Sequence, residues 1–76
     1  MWTFKTNHDV FLLQYLIGTK IIISIYKRKK KERYLAIVSK VEEVGFLWLN
    51  DLDLDCLKFK CLIIAIEMGW DISIFN

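Results

Sequence analysis

Leu57-Lys58-Phe59-Lys60-Cys61-Leu62-Ile63-Ile64-Ala65-Ile66 is the stretch whose reading decides the fold. Leu57, Phe59 and Cys61 alternate with Lys58 and Lys60, the period-two pattern of a strand with one wet face. Beyond Cys61 the alternation stops. Leu62 to Ile66 are apolar on both faces, so this half of the strand is expected to be covered on both sides. A run that passes from half-exposed to fully buried fits a strand bending round a small barrel or crossing a subunit interface.

Upstream, Thr6 to Gly18 reads as a helix. Thr6 and Asp9 have capping-box spacing, Asn7 is a competing N-cap, and Phe11 with Tyr15, Leu12 with Leu16 and Leu13 with Ile17 are i, i+4 pairs. Gly18 is a natural stop. Lys20 to Lys27 reads as a strand rich in β-branched residues, with Ile21, Ile23 and Ile25 facing one way and Ile22, Ser24 and Tyr26 the other. A short polar loop joins it to Tyr34–Val41, giving a hairpin with Leu35, Ile37 and Val41 on the core face. Glu42 to Gly45 is a turn, with Gly45 free to take positive φ. Phe46 to Asn50 is a further strand, with Phe46 and Trp48 on one side and Leu47 and Leu49 on the other. Trp70 to Phe75 alternates again, after a turn at Met68-Gly69. The expected fold is mainly β: an N-terminal helix followed by a small five- or six-stranded SH3/Sm-like barrel. It is one domain over residues 1–76, with the helix at 7–18, barrel strands within 20–67 and an extra strand at 70–75.

Composition narrows the classes. In 76 residues, 55% are apolar and 14% aromatic, with no proline and three glycines, which is too apolar for disorder and generous for a small monomer. Burial of apolar surface between subunits is therefore expected. Gln14, Lys20, Lys27, Lys58, Lys60 and Glu67 interrupt every candidate membrane span, and the N-terminus lacks the pattern of a signal peptide. A cytoplasmic location is the expectation. The net charge of +2 hides an asymmetry, because Lys27 to Arg33 (KRKKKER) holds six of the eleven basic residues and one acid. The positive charge belongs to one loop.

Few residues offer reaction chemistry. DLDLD at 51–55 resembles the opening of an EF-hand loop, but Cys56 and Leu62 stand where that loop needs Gly and Glu. It reads instead as an acidic inter-strand loop. His8 is the sole histidine and has no sequence partner for nucleophilic catalysis, so no enzymatic activity, metal or cofactor is expected. On a continuous strand Cys56 and Cys61 would lie on opposite faces about 16 Å apart, which excludes a disulfide between them; both read as small buried apolar residues. The basic loop has two readings: a solvated hairpin tip that blocks edge aggregation, or a contact for nucleic-acid phosphates. Tyr26, Tyr34, Phe46, Trp48 and Phe59 are near enough in sequence to offer stacking surfaces, though some must be core.

Three patches carry a family resemblance. His8-Asp9-Val10-Phe11-Leu12 resembles the segment that opens the helix of the bacterial RNA chaperone Hfq, a member of the Sm-like superfamily. Ser24-Ile25-Tyr26 matches the end of its first strand, and Phe59-Lys60-Cys61-Leu62-Ile63 resembles its YKHAI signature, with Cys61 in place of the signature His. The same strand pattern looks like the WYL domain and like Rof, the Sm-like inhibitor of Rho. The Hfq resemblance implies a non-enzymatic regulator that binds single-stranded RNA on an oligomeric ring, such as a hexamer. It implies a uridine pocket of His8, Asp9, Phe46, Phe59 and Lys60, and an opposite RNA face with Tyr26, Arg28, Lys29, Lys30 and Lys31. Ring closure would join strands at Leu62 to Ile66 edge to edge, unless the strand at 70–75 fills that edge. The alternative is a small Sm-fold inhibitor that blocks a protein partner, as Rof does, phage- or plasmid-encoded given its size.

Overall fold

The computed structural model describes residues 1–7, 10–40 and 45–72. Five strands, β1 (Trp2–Asn7), β2 (Val10–Ile17), β3 (Lys20–Arg28), β4 (Tyr34–Ser39) and β5 (Phe46–Asp51), form one antiparallel sheet in chain order. A single helix among the described residues, α1 (Leu54–Glu67), follows and packs on β3, β4 and β5. The architecture is an open meander with a helix after it, which overturns the helix-first SH3/Sm-like barrel. The stretch that resembled a bent strand is this helix, and the stretch that resembled a helix is β2. The route to a ring through an edge strand at Leu62 to Ile66 goes with it. The three Hfq-like patches now fall on β2, β3 and α1, with His8 and Asp9 outside the described residues.

The helix is specified at its two ends. The Asp53 carboxylate accepts a hydrogen bond from the Cys56 amide at 3.0 Å, capping one of the first-turn N–H groups that has no partner within the helix. At the other end Gly69, at φ 102°, supplies the left-handed residue that ends a helix. Its amide donates to the Ile66 carbonyl at 3.0 Å, and the Trp70 amide donates to that of Ala65 at 3.0 Å. Between these ends Leu57, Cys61 and Ala65 recur every fourth residue and are fully buried against the sheet. DLDLD therefore serves the helix start: Asp51 ends β5, Asp53 caps, and Asp55 lies in the first turn, where a negative charge is favoured.

Opposite residues of an antiparallel pair share a face. On the covered face the register aligns Leu13 with Ile25, Ile25 with Ala36, and Ile23 with Val38, and all five are buried. Ala36 is small where α1 lies over β4, and the core side of β4 is Ala36 and Val38, not Leu35 and Ile37. Val41 lies outside the described residues. A register shift at Tyr15/Leu16 leaves Ile22 as an extra residue on β3. Such a bulge puts neighbouring side chains on one side, so Ile22 and Ile23 are both buried while Ile21 is exposed. Toward β1 the same face is closed by aromatic edges. Trp2 meets Tyr15 at 5.0 Å between ring centroids, Phe4 meets Phe11 at 5.0 Å, and Phe11 meets Tyr34 at 5.5 Å.

Turn positions differ in part from expectation. Gly18, at φ 61°, does turn the chain between β2 and β3. Gly45 is not in the left-handed region; its carbonyl accepts from the Lys40 amide at 3.3 Å. Trp70 to Ile72 form no strand, and residues 73–75 lie outside the described set. The Trp70 indole N–H instead donates to the Ser39 carbonyl at 2.7 Å, fastening the segment after α1 to the end of β4.

Candidate functional site

The helix covers one face of the sheet, and no described element lies over the other. Its register places Leu12, Tyr26, Leu35 and Asn50 in one row across β2 to β5, and Gln14, Ser24, Ile37 and Trp48 in the next. Phe46 lies one step further along β5, opposite Ser39. Phe46 and Trp48 are each 60% exposed, which is a great deal of uncovered aromatic surface for a strand that pairs through its whole length. Tyr26 and Ile37 are half-buried by their neighbours in the sheet, and Leu35 is exposed.

The β3–β4 connection closes one end of this face. Arg28 pairs with Val10 at the end of β3. The Lys31 amide then donates to the Arg28 carbonyl at 3.0 Å, making Arg28-Lys29-Lys30-Lys31 a β-turn. A turn of this kind brings its first and fourth residues side by side. Arg28 and Lys31 are thus neighbours, with Lys29 and Lys30 at the tip. The side chains of these four residues hold no hydrogen bond or ion pair among the described residues. Arg33 is fixed: its Nε donates to Asn50 Oδ1 at 2.8 Å, tying the end of the loop to β5. Lys27 points the other way, its ammonium 5.5 Å from the Tyr34 ring centroid.

The structure divides the residues expected at an RNA site. Tyr26, Arg28, Lys29, Lys30 and Lys31 come together at the basic end of the open face. Phe46 shares that face at its far side. Phe59 and Lys60 do not join them, because they lie on α1, across the sheet. Phe59 is 55% exposed on the outer side of the helix. Lys60 Nζ is 2.8 Å from Asp51 Oδ2. That bond raises the Lys60 pKa, and Asp51 sits below the ordinary carboxylate range because it accepts from the Asp53 amide and from Lys60. The pocket of His8, Asp9, Phe46, Phe59 and Lys60 is therefore not assembled, and His8 and Asp9 lie outside the described residues. Sequence reading placed Trp48 among the aromatic candidates but missed Leu35, Arg33 and Asn50 as parts of the site. The sequence signal in β5 was only that Phe46 and Trp48 fall on one side and Leu47 and Leu49 on the other; which side is uncovered required the structure.

Both cysteines are free; Cys56 is exposed, against expectation, and Cys61 is buried. Burial pushes the Cys61 thiol up to about 12. No described helix is long and apolar enough to cross a membrane. No protein-family model matches the chain, and no curated protein or solved structure matches it.

Proposed function

We propose that the protein binds single-stranded RNA on the open face of its sheet, without performing chemistry on it. The observation that carries this reading is one surface that holds the exposed rings of Phe46 and Trp48, the half-buried ring of Tyr26, and a basic turn whose side chains have no partner among the described residues. Single-stranded RNA offers two things to a protein at once, unstacked base faces and a phosphate chain. Trp48, Phe46 and Tyr26 present ring surface to bases, and Arg28 to Lys31 present cations to phosphates. Across the sheet, Tyr26 on β3 and Trp48 on β5 are two strands and two residues apart, about 12 Å on the diagonal.

The test is binding of a fluorescein-labelled oligouridylate, read by anisotropy over a salt series. Affinity is expected to fall with salt at a log–log slope of roughly −0.7 per phosphate neutralised. Trp48→Ala is expected to cost about 1–3 kcal/mol of binding with the slope unchanged, since stacking is not ionic. An absence of binding at low ionic strength, with the protein shown to be folded, overturns the proposal.

A further inference from the structure

Two recesses open at the basic end of the sheet, of about 560 and 400 Å³. Each is within the range of sites that hold small ligands. Val10 forms the apolar part of the first, beside Lys29 and Lys30. Tyr26 and Leu35, directly opposite one another in the register, form the apolar part of the second. Lys27, Glu32 and Arg33 also line it. Two residues border both recesses, Arg28 and Lys31. They are the first and fourth residues of the β-turn, held together by the bond from the Lys31 amide to the Arg28 carbonyl.

The shared cations thus lie between a single apolar residue, Val10, and the Tyr26–Leu35 pair, an order that suits a nucleotide chain. From it we infer that the recesses are adjacent nucleotide subsites, with the phosphodiester between two nucleotides seated on Arg28 and Lys31. The inference rests on the RNA-binding reading of the same face and gives that face a register. A guanidinium and an ammonium carried by the first and fourth residues of one turn suit a bridging phosphate, the first donating in a plane and the second as a point charge. Tyr26 offers its ring to the base in the second recess. Arg33, oriented by Asn50, keeps donors free for the next phosphate, on the path toward Trp48. The Glu32 carboxylate accepts hydrogen bonds, so it faces a base N–H or a ribose hydroxyl and not a phosphate.

A generic cationic sink and a dinucleotide site rank simple ligands in opposite orders. Uridine monophosphate carries the greater charge, whereas uridylyl-uridine carries a single internal phosphodiester with a nucleoside on each side. In competition against labelled octauridylate at low salt, uridylyl-uridine is expected to be the better competitor by about tenfold. Its methylphosphonate analogue, which lacks the charge on the linkage, is expected to lose that advantage. With octauridylate itself, Arg28→Ala/Lys31→Ala is expected to weaken binding about tenfold more than Lys29→Ala/Lys30→Ala, although each pair removes two charges. All four positions are exposed, and circular dichroism checks that each variant is folded. If octauridylate binds but uridine monophosphate competes as well as the dinucleotide, or the two double variants lose affinity equally, the subsite assignment is overturned and RNA binding stands. If octauridylate does not bind at all, both fall together.

Discussion

The two faces of the sheet are built from similar residues and end in different states. On the covered face Ile23, Ile25, Ala36 and Val38 meet Leu57, Cys61 and Ala65 of α1, and all are buried. On the open face Leu12, Tyr26, Leu35, Ile37, Trp48 and Phe46 are also apolar or aromatic, but no described element lies over them. Hydropathy therefore separates the faces only in part, through Gln14, Ser24, Ser39 and Asn50 on the open one. Across β3 to β5, where α1 lies, they differ also in side-chain size and shape. The face under the helix carries compact aliphatic residues where α1 lies, which pack closely against a cylinder. The open face carries flat rings on β5, where a helix would need to bury them and does not. An exposed ring in such a place is the kind of exception that points to a ligand.

The largest effect that separates the faces is a truncation in each. Leu57→Ala removes a fully buried side chain between helix and sheet and is expected to cost about 2–5 kcal/mol of stability. Trp48→Ala removes a larger side chain, yet it is mostly exposed and is expected to change stability by no more than about 0.5 kcal/mol. Urea unfolding of the two variants checks the contrast. A Trp48 variant as unstable as the Leu57 variant would mean that the open face is core, and the binding surface would have to be sought elsewhere.

That same contrast explains what could be read from the amino-acid order. The β3–β4 hairpin was legible because polar residues break its pattern, at Ser24 and the basic loop, and β5 because Gly45 and the acidic run from Asp51 bound a short apolar segment. The two ends of the chain were misread in opposite directions. In Val10–Ile17 every residue but Gln14 is apolar, so i, i+4 pairs exist whatever the conformation, and the helical reading had no polar face to contradict it. In Leu54–Glu67, lysines at 58 and 60 imitate strand alternation, and the isoleucines have β-propensity that packing overrides. The helix also carries Phe59 and Ile66 exposed on its outer side, so its apolar residues leave no clean stripe. Asp53 and Gly69 were the better signals, one at each end. Of the site, the basic turn was legible from charge alone. Its joining to Tyr26 and Trp48 depended on a register that no local pattern supplies.

Those end signals can be tested directly. Asp53→Ala removes the cap on the covering helix and is expected to cost about 1 kcal/mol, with Asp53→Asn recovering most of it. RNA affinity should be unchanged in both, because the cap lies at the start of the element that covers the other face. A reduced affinity in a folded Asp53→Ala protein would show that the two faces are energetically coupled and not independent.

Cys61 gives a smaller effect that reads burial under the helix through pH. Its thiol is neutral when folded, with a pKa pushed up to about 12, while the unfolded chain ionises near the ordinary thiol value of about 8.5. A raised folded pKa contributes stability that is complete below the unfolded value and is lost as pH rises from there toward 12. Midpoints for urea unfolding should therefore fall above about pH 9. Cys61→Ala should be less stable at neutral pH and lack this part of the alkaline decline. Maleimide should label exposed Cys56 quickly in the native protein and Cys61 slowly, since a buried neutral thiol is a poor nucleophile. Fast labelling at Cys61 would show that α1 opens readily from the sheet.

The smallest expected change concerns Lys60, the cation that the family resemblance put in the RNA site. It lies on α1 with its ammonium bound to Asp51, across the sheet from Trp48. Lys60→Ala should leave RNA affinity and its salt slope at the wild-type value, whereas the paired substitution at Arg28 and Lys31 flattens that slope. The effect on stability should be slight, because the pair is at the surface and screened by solvent and salt. What remains should depend on pH in one direction. The Asp51 carboxyl is lowered first by the Asp53 amide and then by Lys60, so its contribution is present above the ordinary carboxylate value and fades as pH falls through its folded value. Lys60→Ala removes the second of these supports and keeps the first, so acid unfolding should begin at slightly higher pH in the variant and retain its shape. A variant with wild-type acid unfolding but weakened RNA binding would reverse the assignment: Lys60 would then face the ligand in solution, and the helix side of the sheet would carry part of the site.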